Sequence, residues 1–137
     1  MMEIVLATPA LFSAVRQFDR HIPPHRLRHC IAGGQVYLLR VERSWAGVLR
    51  YSLFWETIPF LDLLYIDQRY RGLGWGRKLM GHWEAAMAAQ GFRHGMLSTQ
   101  ADEAAKHFYE KLGYRLAGSF YPPEQEAAEL IYTKVLG

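Results

Sequence analysis

Hydrophobic positions change their period along this chain, and each change marks an element. Glu3 to Ala7 is a short apolar run of strand length. Thr8 follows as a helix N-cap with Pro9 at the first helical position, and Ala10, Leu11, Ala14, Val15 and Phe18 keep helical spacing behind them. A second helix starts near Pro24, because Leu27, Cys30 and Ile31 share a face, and Gly33-Gly34 ends it. From Gln35 to Asp67 the pattern becomes strand-like: Val36 to Glu42, Ala46 to Phe54 and Phe60 to Asp67, joined by short turns around Ser44 and Thr57. Connections that short predict an antiparallel meander. Beyond a glycine-rich stretch, Leu79, Trp83, Met87 and Gln90 recur on one helix face closed by Gly91. His94 to Thr99 predicts a strand, Ala105, Phe108 and Leu112 a helix capped by Gly113, and Tyr114 to Phe120 and Leu130 to Leu136 two closing strands. The predicted order is βααβββαβαββ.

With 137 residues, half of them apolar, the chain is long enough for one hydrophobic core without disulfides or metals. No repeat, low-complexity segment or polar linker divides it, so a single domain over residues 1–137 is expected. The lone Cys30 fits a reducing compartment. The apolar start carries Glu3 rather than a basic cluster, and Arg16, Asp19 and Arg20 interrupt it, so mature structure rather than a secretory leader or a membrane span is expected. A soluble, cytoplasmic protein is expected. A net charge of +3 is a modest excess of sixteen basic over thirteen acidic residues. Its distribution says more, since Arg69, Arg71, Arg77 and Lys78 cluster among glycines. That spacing suits a compact anionic ligand better than a nucleic-acid backbone.

The run Arg71-Gly72-Leu73-Gly74-Trp75-Gly76 lies between a predicted strand and a predicted helix. Glycines there let the backbone approach a ligand, and the helix start offers unpaired N–H groups and a positive dipole end, which together make an anion site. A nucleotide P-loop needs Gly-Lys-Ser/Thr, whereas Gly76 is followed by Arg77-Lys78-Leu79. A dinucleotide fold needs G-x-G-x-x-G and an acidic ribose ligand about 20 residues on, and the region near Phe92 to Met96 is not acidic. Both are disfavoured. His21, His25 and His29 repeat every four residues, but Pro23-Pro24 breaks the helix they would need, and no metal is expected. Cys30, on the apolar face with Leu27 and Ile31, is expected to be a small core residue.

Arg71, Gly74 and Gly76, with the downstream run AAKHFYEKLGY from Ala104 to Tyr114, resemble the two signatures of the GNAT superfamily of acetyl-CoA-dependent N-acetyltransferases. That resemblance implies an α/β (α+β) GNAT fold, a mixed central sheet of six to seven strands flanked by helices and splayed between its fourth and fifth strands. It implies that backbone N–H groups of Gly72, Leu73, Gly74, Trp75 and Gly76 hold the acetyl-CoA pyrophosphate, with Arg71, Arg77 and Lys78 adding charge. By the same resemblance, the backbone of Leu64, Tyr65 and Ile66 pairs with the pantetheine arm and Tyr109 protonates the departing thiolate. The acceptor would be an amine of a small molecule or peptide, attacking directly in a ternary complex. Family members often carry asparagine where this chain has Asp102, and a carboxylate cannot donate the bond that an amide can.

The general base is argued from spacing. Asp62 stands two and four residues before Leu64 and Ile66, so strand alternation places it on their face, and Glu56 in the preceding turn is its rival. Tyr51, Phe54 and Trp55, together with Tyr121-Pro122-Pro123, could line an aromatic acceptor pocket or simply pack. Glu124, Glu126 and Glu129 could attract a cationic amine or form a solvated loop. Trp45, Trp55 and Tyr132 are aromatic enough for a homodimer interface. The rival function is a non-catalytic acyl-CoA-binding or regulatory module.

Overall fold

A computed structural model describes residues 1–137. Its elements run in the predicted order: β1 Met2–Leu6, α1 Phe12–Arg16, α2 Pro24–Ala32, β2 Val36–Val41, β3 Ser44–Phe54, β4 Ile58–Ile66, α3 Trp75–Ala89, β5 His94–Gln100, α4 Ala105–Lys111, β6 Arg115–Phe120 and β7 Glu129–Val135. The strands form one seven-stranded mixed sheet ordered β1-β2-β3-β4-β5-β7-β6, in keeping with the mixed sheet of six to seven strands expected. Two compact units divide the chain, one of Met1–Ser52 with Asp62–Trp83, the other of Leu53–Leu61 with Glu84–Gly137.

In the first unit β1 pairs antiparallel with β2, from Met2↔Val41 to Leu6↔Tyr37. β2 pairs antiparallel with β3, from Val36↔Arg50 to Val41↔Ser44. Ser44 therefore begins a strand, and the turn falls on Glu42-Arg43, with Glu42 at φ 56°. Ala7, Val15, Leu27, Ile31, Val36, Leu38 and Val48 form the core between helices and strands, with Leu63, Tyr65, Phe18 and Cys30 packed against it. Each large aliphatic side chain buried this way contributes about 1.5–3 kcal/mol. Thr8 departs from expectation: it is extended and its side chain caps nothing. Pro9 opens a 3-10 turn whose Leu11 N–H is already taken by the Thr8 carbonyl at 2.8 Å, so the backbone does the hydroxyl's work.

In the second unit β5 pairs antiparallel with β7 over seven positions, His94↔Val135 to Gln100↔Glu129. β4 pairs parallel with β5 at Phe60↔Met96 and Leu61↔Leu97. β6 closes the sheet as an edge strand exposed along its length. Glu84, on the C-terminal part of α3, accepts from the Tyr114 hydroxyl at 2.7 Å and from Lys134 at 2.9 Å, which ties that helix to the last strands. Gly113 ends α4 at φ 96°, a left-handed position that favours glycine.

Candidate active site

The glycine run is set up by the turn before it. Asp67 accepts from the Arg69 backbone N–H at 3.3 Å and its guanidinium at 3.1 Å, and Arg69 holds that carboxyl below the usual range. This 3-10 turn carries the chain off β4. Arg71 then folds back: its Nε donates to the Ile66 carbonyl at 2.7 Å, and its guanidinium lies 5.2 Å from the Tyr65 ring centroid. Gly72 and Gly74 take φ of 76° and 87°, and a Cβ at either would meet nothing within 4 Å. What glycine supplies there is backbone conformation rather than room. Leu73, between them, is largely exposed.

From Gly72 to Arg77 no backbone N–H has a protein acceptor; the first to find one is Lys78, which donates to the Gly74 carbonyl at 3.2 Å. A row of uncommitted donors thus stands at the positive end of a 15-residue helix. Arg77 and Lys78 are exposed beside it, the ammonium of Lys78 5.5 Å from the Trp75 ring centroid. Gly76 sits in the first turn of α3 with no left-handed φ.

β4 supplies the second part. Leu63 and Tyr65 pack on the core shared with Val36 and Val48, and Tyr65 stacks 5.7 Å from Phe18. Asp62 reaches the same layer: its Oδ2 lies 3.8 Å from Nη1 of Arg50, whose cross-strand partner is Val36.

Asp62 is one end of a charged row. Arg50, 8% exposed, donates from Nε to Oδ2 of the fully buried Asp19 at 2.7 Å. The Asp62 side chain keeps 25% of its surface exposed. Partial burial raises its carboxyl above the usual range, against the opposing pull of a Ser52 hydrogen bond and the Arg50 charge. Asp19 and Arg50 escape a reading by motif. Arg50 carried a signal nonetheless, as a charge inside the apolar run Ala46 to Phe54 that has to find a buried partner.

Tyr109 lies in the second unit on α4, 8% exposed, with its ring against Phe108 and Tyr114. Burial, with the negative charge of Glu103 adding to it, pushes its phenol up to about 12. The three buried tyrosines of this unit differ in one respect. Tyr114 donates to Glu84 and Tyr132 to Glu110, whereas the Tyr109 hydroxyl has no protein partner. Lys106 binds the Ala101 carbonyl at 3.0 Å, and Asp102 is exposed beside it.

The remaining candidates scatter. Glu56 is exposed in the β3–β4 turn at φ 60°, next to Trp55 at φ 55°. Phe54 packs on Trp55 and Phe60, while Tyr51 is buried against Tyr37 and Trp83. Glu129 accepts from Ser98 at 2.7 Å and Gln125 at 3.0 Å, and Glu124 and Glu126 are exposed. His25 and His29 lie on α2, and the His21 ring sits 3.4 Å from Asp19. No helix is long and apolar enough to cross a membrane.

Comparison with known proteins adds three findings. The model of the acetyltransferase (GNAT) family matches residues 7–114. A blasticidin-S acetyltransferase from Streptomyces morookaense is 39% identical over 83 residues, which span 57% of this chain and 58% of that relative's length. Among solved structures, Ard1 from Thermoplasma volcanium superposes with a TM-score of 0.86 at 17% identity, covering 99% of this chain and 98% of its own. A Bacillus anthracis structure assigned to streptothricin acetylation, in complex with acetyl coenzyme A, gives 0.69 at 20% identity over 74% of this chain and 62% of its own.

Proposed function

The chain belongs to the acetyltransferase (GNAT) family, and from that premise we propose that its 137 residues act as one domain moving an acetyl group from acetyl-CoA to a primary amine of a small molecule or peptide. The observation that carries this reading is the row of uncommitted N–H groups from Gly72 to Arg77 at the head of α3. A pyrophosphate fits such a row, because its oxygens accept what the backbone cannot use internally. Arg77 and Lys78 add charge, whereas Arg71 serves chiefly to hold the loop to the end of β4. The β4 backbone of Leu64 to Ile66 is suited to the amide groups of a pantetheine arm, which would bind as an added strand does.

The chemistry needs a neutral amine, a stabilised oxyanion and a proton for the leaving sulfur. Asp62, raised by its surroundings, takes the proton that the amine nitrogen loses, through water, as the nitrogen bonds to the acetyl carbon. The carbonyl electrons move onto oxygen, where a β4 backbone N–H stabilises them. Collapse breaks the carbon–sulfur bond, and the uncommitted Tyr109 phenol gives its proton to the thiolate. A phenol held protonated to about pH 12 remains a donor throughout the physiological range. Direct attack requires no covalent enzyme intermediate.

Turnover of acetyl-CoA against a panel of primary amines tests the reading, with wild type compared to Tyr109→Phe. General acid catalysis is worth about 10²–10⁴-fold, so the variant should lose about a hundredfold or more in kcat with its acetyl-CoA KM little changed. Equal turnover would remove Tyr109 from the mechanism, and binding without any turnover would make the chain an acyl-CoA-binding module.

A further inference from the structure

The charged row under β3 and β4 is unequal. Arg50 has a guanidinium fork with five N–H donors, enough to serve two carboxylates. It gives Nε to Asp19 at 2.7 Å and leaves Nη1 3.8 Å from Asp62, beyond hydrogen-bonding distance. Oδ1 of Asp19 is occupied by the backbone N–H of His21 at 3.3 Å and its ring Nδ1 at 3.4 Å, which turns Oδ2 to Arg50. The completely buried carboxylate therefore takes the hydrogen bond, and the partly exposed one keeps only the longer, weaker ion pair. About 1 Å of movement by the guanidinium would bring Nη1 into hydrogen-bonding distance of Asp62.

Resting on the reading of Asp62 as the base, we propose that Asp19 is a positioning residue: by holding Arg50 it keeps the guanidinium off Asp62 and leaves that carboxylate free to accept the amine proton. A full Arg50–Asp62 pair would stabilise the charged carboxylate and weaken it as a base. The groups facing Asp62 from each packed element are consistent with this. Arg50 and Ser52 come from β3, and Asp19, with His21 on its far oxygen, from the link between α1 and α2. Cys30 faces the row from α2, its thiol pushed up by burial, and Arg26 acts on the same thiol. Arg50 is the cation nearest Asp62, so its allegiance decides the outcome.

The experiment is a carbon-13 NMR titration of the Asp62 carboxyl, assigned by its loss in Asp62→Asn, run beside the pH dependence of kcat/KM. In Asp19→Asn, Arg50 turns to Asp62, and the midpoint should fall by about one unit or more, the usual effect of an adjacent cation, beyond the smaller fall from losing the Asp19 charge itself. The acidic limb of kcat/KM should fall with it. Asp19→Glu, which restores the charge, should return the midpoint toward the wild-type value. An unmoved or raised midpoint in Asp19→Asn overturns the proposal, whatever the variant does to stability. If Asp19→Asn does not fold, Arg50→Lys replaces it. A lysine ammonium lacks the reach of the guanidinium fork, so held by Asp19 it stands farther from Asp62 and the midpoint rises, whereas an unmoved or lowered midpoint overturns the proposal. Wild-type turnover in Asp62→Asn would sink the base reading by itself, and the NMR midpoints would still judge what Asp19 holds.

Discussion

At the residue scale, Gly74 and Asp62 show how conformation and charge divide the work. Because a Cβ at Gly74 meets nothing, Gly74→Ala should fold. Holding alanine at φ 87° costs about 1–2 kcal/mol, and the row of N–H groups should lose its alignment. Calorimetric titration with CoA should show affinity down by about tenfold, equivalent to 1.4 kcal/mol, and unchanged affinity would refute the cradle. Asp62 carries the opposite trade. Its folded-state carboxyl lies above its unfolded value, so the native state binds more protons, and stability present at low pH is lost as pH rises through the folded value. Asp62→Asn should therefore raise the melting temperature at pH 7 while lowering turnover, which a thermal melt beside a rate assay checks.

At the element scale, α3 carries both an apolar seam and a polar head. Leu79, Trp83 and Met87 are fully buried, as their spacing predicts. Trp83→Ala should cost about 3–5 kcal/mol, read from denaturant unfolding, because the surrounding side chains refill such a cavity only in part. The element order, the glycine caps and this seam were legible because period and punctuation are local properties. The partner of Asp62 was not: strand alternation proposes a face for it, and only the folded chain brings the Arg50 guanidinium to 3.8 Å from its Oδ2. The Arg50–Asp19 pair is similarly invisible, since it joins residues 31 positions apart. Thr8 looked like a cap, but the proline turn made its hydroxyl unnecessary.

At the scale of the whole molecule, positive charge is concentrated rather than spread. Arg69 is tied to Asp67 and Arg71 to the end of β4, which leaves Arg77 and Lys78 as the exposed cations beside the free N–H row. Exposed charges are screened by salt, so acetyl-CoA affinity should fall between low salt and about 0.15 M. The double variant Arg77→Ala/Lys78→Ala should lose most of that dependence in a binding titration. Family membership and the sheet order set the frame for the proposed reaction, and the loop and the buried Tyr109 phenol are the groups assigned its chemistry. The central claim, that this chain transfers acetyl groups to amines, is tested most directly by following free CoA thiol released from acetyl-CoA by the purified protein, with and without a panel of primary amines. The account predicts thiol release that requires an amine and equals the acetylated amine formed. Saturable acetyl-CoA binding with no amine-dependent thiol release would contradict it.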